Sequence, residues 1–255
     1  MTMHRKDKTV EDLNVKIRKI ASSAFNALRR PSARHEADIY AVIFDLDGTL
    51  IESEQIWRDV RHAFVVEHGG HWRNGAQEQM IGMRTTEWAS YIHDDLAVAL
   101  DPEAIAEQIV SAVVTRLAKA VPIFPGADDA LRRLAAVFPL ALATAAARPV
   151  AETAIAAAGW QKYFEVIVSA DDVAHGKPEP DVYLRALTLM RADPQRTAAI
   201  EDSANGIRSA YAAQLSVIAI PNREFAPDSA SLSLARCVLD TIALLNVETV
   251  ERCTH

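Results

Sequence analysis

From Asp38 onward the chain alternates short, continuous apolar runs with longer segments at helical spacing. The runs are Ile39–Phe44, Leu140–Ala143, Glu165–Val168, Ala198–Ile200 and Ser216–Ile220. Because they are continuous rather than alternating, they predict strands buried on both faces. The segments Ala127–Val137, Pro149–Ala158, Glu179–Met190 and Ala204–Ala213 predict helices long enough for right-handed crossovers. The expected fold class is α/β, a doubly wound parallel sheet whose ligands sit outside the carboxyl ends of the strands.

Roughly 90 residues separate the first two strands, where a strand-to-helix connection usually takes about 2 to 6. Ser53–His68, Thr85–Ala97 and Pro102–Lys119 have helical spacing there, with breaks at Gly69-Gly70 and at Pro122–Gly126. The economical plan is an inserted helical domain hinged near Leu50 and Pro122. This gives a core from 38–52 and 122–245, a helical cap from 53–121 and an N-terminal extension, 1–37. Within the extension Val10, Leu13, Ile17, Ile20, Ala24 and Leu28 recur at three- and four-residue steps until Pro31 interrupts them, which predicts an amphipathic helix. It reads as a solvated or self-packing appendage, the alternative being a docking helix for a partner subunit or an anionic surface.

Charge divides along the same boundary. Through Ala37 the chain has nine Lys and Arg against four Asp and Glu, leaving 18 against 30 for the rest. The net charge of -7 argues against a nucleic-acid binder, which needs surplus cations for phosphate backbones. The longest uncharged stretch, Leu134–Ala147, has 14 residues, short of the roughly 20 that span a bilayer. The N-terminus lacks the apolar run of a secretory signal. Two cysteines, Cys237 and Cys253, are too few for a disulfide framework. A reducing, cytoplasmic setting is therefore expected, with no membrane partner, as a monomer or a homodimer.

The chemistry gathers at predicted strand ends. Phe44-Asp45-Leu46-Asp47-Gly48-Thr49-Leu50 follows the first strand, and residues two apart on an extended chain face the same side. Two carboxylates at one place repel unless a cation or proton intervenes, and Mg²⁺ fits oxygen donors and bridges phosphate. Glu201-Asp202 follows the fourth strand: Asp202 would complete the metal shell, with Glu201 ligating directly or through water. Thr144 ends the second strand, and Lys177 follows the third in His175-Gly176-Lys177-Pro178; both suit an anion at a helix start. Each piece alone has an ordinary explanation as a cap, turn or solvated charge. Four strand ends in chain order carrying Asp-x-Asp, Thr, Lys and Glu-Asp are the stronger signal.

Over about Asp38 to Asp240 these motifs resemble the haloacid dehalogenase superfamily of phosphotransferases, in the subgroup with a helical cap after the first strand. The resemblance implies a Mg²⁺-dependent hydrolase of a small phosphomonoester working through an aspartyl-phosphate. Asp45 would be the nucleophile, Asp47 the general acid and base, and Thr144 with Lys177 the phosphate-binding pair. Asp202 would be a metal ligand beside Asp45, with Asp47 ligating through its carbonyl. The stretches around Glu52–Trp57 and Ile81–Trp88 look like the sugar- and polyol-phosphate phosphatases, which places Glu52, Trp57 and Arg84 in the substrate cavity. β-Phosphoglucomutases are similar through the core but carry a histidine where this chain has Trp57. A catalytically silent phosphometabolite-binding module is the remaining alternative, disfavoured by retention of both Asp45 and Asp47. Ala145-Ala146-Ala147 stands where many relatives place a Ser or Asn, and Arg148 is the candidate to compensate.

Overall fold

The computed structural model describes residues 39–222 and 226–253; the expected helix at 10–29 lies outside them. In chain order the elements are β1 (Ala41–Phe44), α1 (Glu54–Glu67), α2 (Ala76–Met80), α3 (Thr85–Asp94), α4 (Pro102–Lys119), α5 (Ala127–Ala135), β2 (Leu140–Ala143), α6 (Arg148–Ala157), β3 (Phe164–Val168), α7 (Asp181–Met190), β4 (Thr197–Glu201), α8 (Ala204–Ala212), β5 (Ser216–Ala219), α9 (Ser229–Leu232), β6 (Cys237–Val238) and α10 (Val247–Arg252). The strands form one sheet in the order β3-β2-β1-β4-β5-β6. Every pairing is parallel, the doubly wound architecture expected.

Alternate strand residues feed two cores, one on each face. Val42, Phe44, Leu140, Leu142 and Ile200 meet Leu131, Leu134, Val150 and Ile155 of α5 and α6. On the opposite face Ile43, Ala141, Ala143 and Ala199 meet Val182, Tyr183 and Ala186 of α7 and Ile207 and Ala210 of α8. The small strand residues on this second face leave room for the fully buried Tyr183 ring. Each large apolar side chain so buried contributes roughly 1.5–3 kcal/mol. Register then does the positioning: Phe44 stands level with Leu142 and with Ile200, so the residues just past β1, β2 and β4 emerge together at one edge.

Helices α1–α4 fill the long connection between β1 and β2. Ile105, Ile109, Val113 and Leu117 of α4 are buried at a strict four-residue step, one face of a helix. Its start matches the sequence expectation because the start signals are unambiguous: Asp101 accepts from the Glu103 amide at 2.9 Å and Pro102 takes the first turn, where its missing N–H costs nothing. Elsewhere the boundaries shift for local reasons. α3 ends at Asp94 rather than Ala97, which has a left-handed φ of 57°, and α7 begins after Pro180 rather than at Glu179. The sequence pattern missed α2, α9, α10 and β6, all short. It also missed that β6 and α10 bring Cys237 and Cys253 together in a disulfide, with Cα atoms 5.7 Å apart. Among the described residues no helix is long and apolar enough to cross a membrane.

Candidate active site

The site begins where β1 stops. Asp45 is buried, and its amide donates to the Ile200 carbonyl of β4 at 3.0 Å, which continues the ladder one residue past the strand. The chain then turns back through Gly48, whose φ of +85° suits a residue without Cβ. A Cβ there would lie 2.0 Å from Asp202 Oδ2, so this glycine also admits the second acid. Thr49 Oγ1 donates to Asp202 Oδ1 at 3.4 Å.

Lys177 spans this edge from the far side. Its Nζ donates to Asp45 Oδ1 at 2.6 Å, to Glu201 Oε1 at 2.6 Å and to the Ala143 carbonyl at 3.0 Å, which uses all three protons of an ammonium. Glu201 is fully buried and holds this arrangement on both oxygens. Tyr183 Oη donates to Oε1 at 2.7 Å, while the Asp202 and Ser203 amides and Ser203 Oγ donate to Oε2 at 3.1, 3.4 and 3.3 Å. Gly206 makes room for it, since a Cβ there would fall 2.0 Å from the carboxyl atoms. Sequence reading put Glu201 among the metal ligands; its present bonds go to Lys177, Tyr183 and the following turn.

One ammonium faces three buried carboxylates. Burial, reinforced by Glu201 and Asp47, pushes the Asp45 carboxyl well above the usual carboxylate range despite the pull of Lys177; burial, Glu201 and Asp45 do the same to Asp202. Lys177 itself is held above the ordinary lysine value, because its two carboxylate partners outweigh burial. Asp45, Glu201 and Asp202 each offer an oxygen, all within 4.8 Å of one another. A donor set of hard oxygens short of positive charge fits a divalent cation of the magnesium type.

Asp47 stands apart from that cluster, facing the insert. It accepts from Ser53 Oγ, from Trp57 Nε1 at 3.4 Å and from Thr144 Oγ1 at 3.5 Å. Burial raises its carboxyl pKa, and the Ser53 and Trp57 donors partly offset this. Thr144 Oγ1 also accepts from the Ala146 amide at 3.1 Å. The candidate substitute Arg148 is spent elsewhere, on Asp172 and, at 3.0 Å, on Glu152.

A cavity of about 60 Å³ between the strand ends and the insert joins Asp45, Asp47, Thr144, Lys177 and Asp202. Of the three expected cap residues only Trp57 lines it. Glu52 is exposed and borders a separate cleft with Thr49 and Phe124. Arg84 instead straps the insert to the core: its Nη1 donates to the Ala174 carbonyl at 2.5 Å and its Nη2 to that of Val173 at 3.3 Å. Glu54, Arg61 and Trp88 line the cavity in their place. The signal for Arg61 was present, since the α1 stripe Trp57, Val60, Phe64 and Val65 puts residue 61 on the buried face. Losing the strap in Arg84→Ala is expected to lower kcat/KM about tenfold, about 1.4 kcal/mol, with Tm falling by less than about 4 °C; a steady-state assay and a melting curve check both.

Comparison with known proteins agrees with this geometry. Residues 42–220 match the haloacid dehalogenase-like hydrolase family. The fructose-1-phosphate phosphatase YqaB of Escherichia coli is 30% identical over 177 residues, 69% of this chain and 94% of that protein. The bifunctional riboflavin kinase/FMN phosphatase of Arabidopsis thaliana is 31% identical over 71% of this chain, which spans about half of that protein's length, 48%. Among solved structures, CbbY from Rhodobacter sphaeroides in complex with phosphate superposes with a TM-score of 0.73 at 30% identity, covering 81% of this chain and 96% of CbbY. With the family match running from β1 into the residue after β5, the chain belongs to the haloacid dehalogenase-like hydrolases.

Proposed function

We propose that this phosphoric monoester hydrolase cleaves a small sugar or polyol phosphate in two steps through a phosphorylated Asp45, with the helical insert acting as a cap. The observation that carries the reading is the Lys177 ammonium, fixed 2.6 Å from Asp45 Oδ1 by Glu201 and the Ala143 carbonyl. It favours the charged form of the carboxylate against burial and aims it, and it offsets the repulsion between one anion attacking another. Asp45 and Asp202, with the Asp47 carbonyl, would hold Mg²⁺, and Glu201 would act by positioning Lys177 or through a water. The bound ion would supply positive charge to the transferring phosphoryl oxygens.

Asp45 attacks phosphorus in line as the ester oxygen departs. Asp47, set on the insert side with its pKa raised by burial, gives its proton to the departing alcohol and then takes one from the water that hydrolyses the acyl phosphate. Thr144 and Lys177 orient the phosphoryl group. The closed cap keeps bulk water from the intermediate. Trp57 favours hydrolysis over a mutase cycle, because an indole N–H donates but cannot accept a proton.

The test is phosphate release by the purified protein with Mg²⁺ from sugar, polyol, glycolate and nucleotide monophosphates. At least one ester should turn over, and chelator should lower the rate at least about 100-fold, with recovery on added Mg²⁺. No release from the whole panel would leave the silent binding module as the better reading.

A further inference from the structure

Arg61 is a cation that the core chemistry does not use. It lies on α1 and is only 4% exposed. Its guanidinium carbon sits 4.6 Å from the centre of the Trp57 ring and 4.9 Å from that of Trp88. Nη1 donates to Gln77 Oε1 at 3.3 Å, and Gln77 Nε2 in turn donates to Glu54 at 2.9 Å. Nε, shielded from solvent, has no hydrogen-bond partner among the described residues. Burial lowers the guanidinium pKa to about 10 against the pull of the nearby Glu54 and Asp47 carboxylates, so the group is charged at neutral pH.

Burying a guanidinium with an unmatched donor is costly unless something pairs with it. The two indole faces recover part of that cost and hold the group rigid. Arg61 lines the cavity, on the insert side where the leaving group of a phosphoester bound at Asp45 would lie. Resting on the hydrolytic reading above, we infer that Arg61 recognises a carboxylate on the leaving group, so the substrate is the acid form of a polyol phosphate rather than a neutral one. Charge favours a carboxylate over a second phosphate. Among the described residues lining the cavity, Arg61 and Lys177 are the cations against Asp45, Asp47, Glu54 and Asp202, and Lys177 is committed to the phosphoryl end beside Asp45. A monoanion adds less repulsion there than a dianion. Size agrees, since about 60 Å³ on a scale where one water needs roughly 10–15 Å³ leaves space for a short remainder beside the phosphoryl group.

The experiment compares three esters on one skeleton with the full chain and Mg²⁺: propane-1,3-diol monophosphate, 3-phosphonooxypropanoate and propane-1,3-diol bisphosphate. The acid should exceed the alcohol about 10- to 100-fold in kcat/KM, the range for a hydrogen bond between charged groups. That gain should sit in KM, because a remote carboxylate is held alike in ground and transition states. In Arg61→Met the acid-to-alcohol ratio should fall below about threefold, and in Arg61→Lys it should be intermediate. A purely structural role would change both esters together and leave the ratio standing, which would overturn the inference. So would a wild-type ratio near one, a result that stands even if Arg61→Met does not fold. Preference for the bisphosphate would replace the carboxylate by a second phosphate. Release from neutral esters alone, or from the wider panel but none of these three, overturns this inference while sparing the hydrolytic reading; release from neither set overturns both.

Discussion

Asp45→Asn is expected to lower phosphate release by at least about 10⁴-fold while the protein stays folded. An amide has the carboxylate's shape without its nucleophilic oxygen, and removing a nucleophile that works in concert with its partners costs about as much as removing the group entirely. Stability should be spared, because this carboxylate is crowded by Glu201 and Asp47 and pushed up by burial. Lys177 keeps Glu201 and the Ala143 carbonyl as partners. Melting curves in chelator should therefore agree with the wild type within about 4 °C. Residual activity above roughly one per cent of wild type, in protein free of deamidated contaminant, would remove Asp45 from the nucleophile's place.

Lys177→Ala should fail in both respects. The ammonium is buried between Asp45 and Glu201, so its loss leaves two buried carboxylates without their cation, a defect of about 3–5 kcal/mol. For a domain of this size that is a drop of roughly 10 °C in Tm, accompanied by loss of turnover. Lys177→Ala combined with Glu201→Gln should recover part of the Tm and none of the activity, since the amide removes one stranded charge but cannot align Asp45. A single-variant Tm within about 2 °C of wild type would mean that the ammonium carries no weight in the fold.

Much of this arrangement was legible in the sequence, and what was hidden has common causes. The buried strands betrayed themselves by continuous apolar runs, and α4 by its Asp-Pro start and four-residue stripe. Asp45, Asp47, Thr144, Lys177 and Asp202 were found because their places at strand ends depend only on chain order and parallel pairing, and the structure gathers them about one cavity. Side chains that reach across elements left no such trace. Arg84 lies beside the cavity in sequence but binds carbonyls about 90 residues away. Glu52 borders a different cleft, whereas Glu54, two residues on at the start of α1, lines the cavity. Glu201 reads as a ligand from its position, yet Tyr183 and the next two amides claim its oxygens, contacts that only packing can specify. Cys237 and Cys253 meet through elements too short to register as periodicity.

The strap formed by Arg84 has a mechanical corollary. The carbonyls it grips belong to Val173 and Ala174, a few residues before Lys177, and its aliphatic stem rests on Gly176, where a Cβ would come within 2.3 Å of Cγ. A swing of the helical insert away from the core would have to part these two hydrogen bonds to the loop that leads into Lys177. The ammonium would keep its place when the strap parts, because Glu201 and the Ala143 carbonyl anchor it from the core.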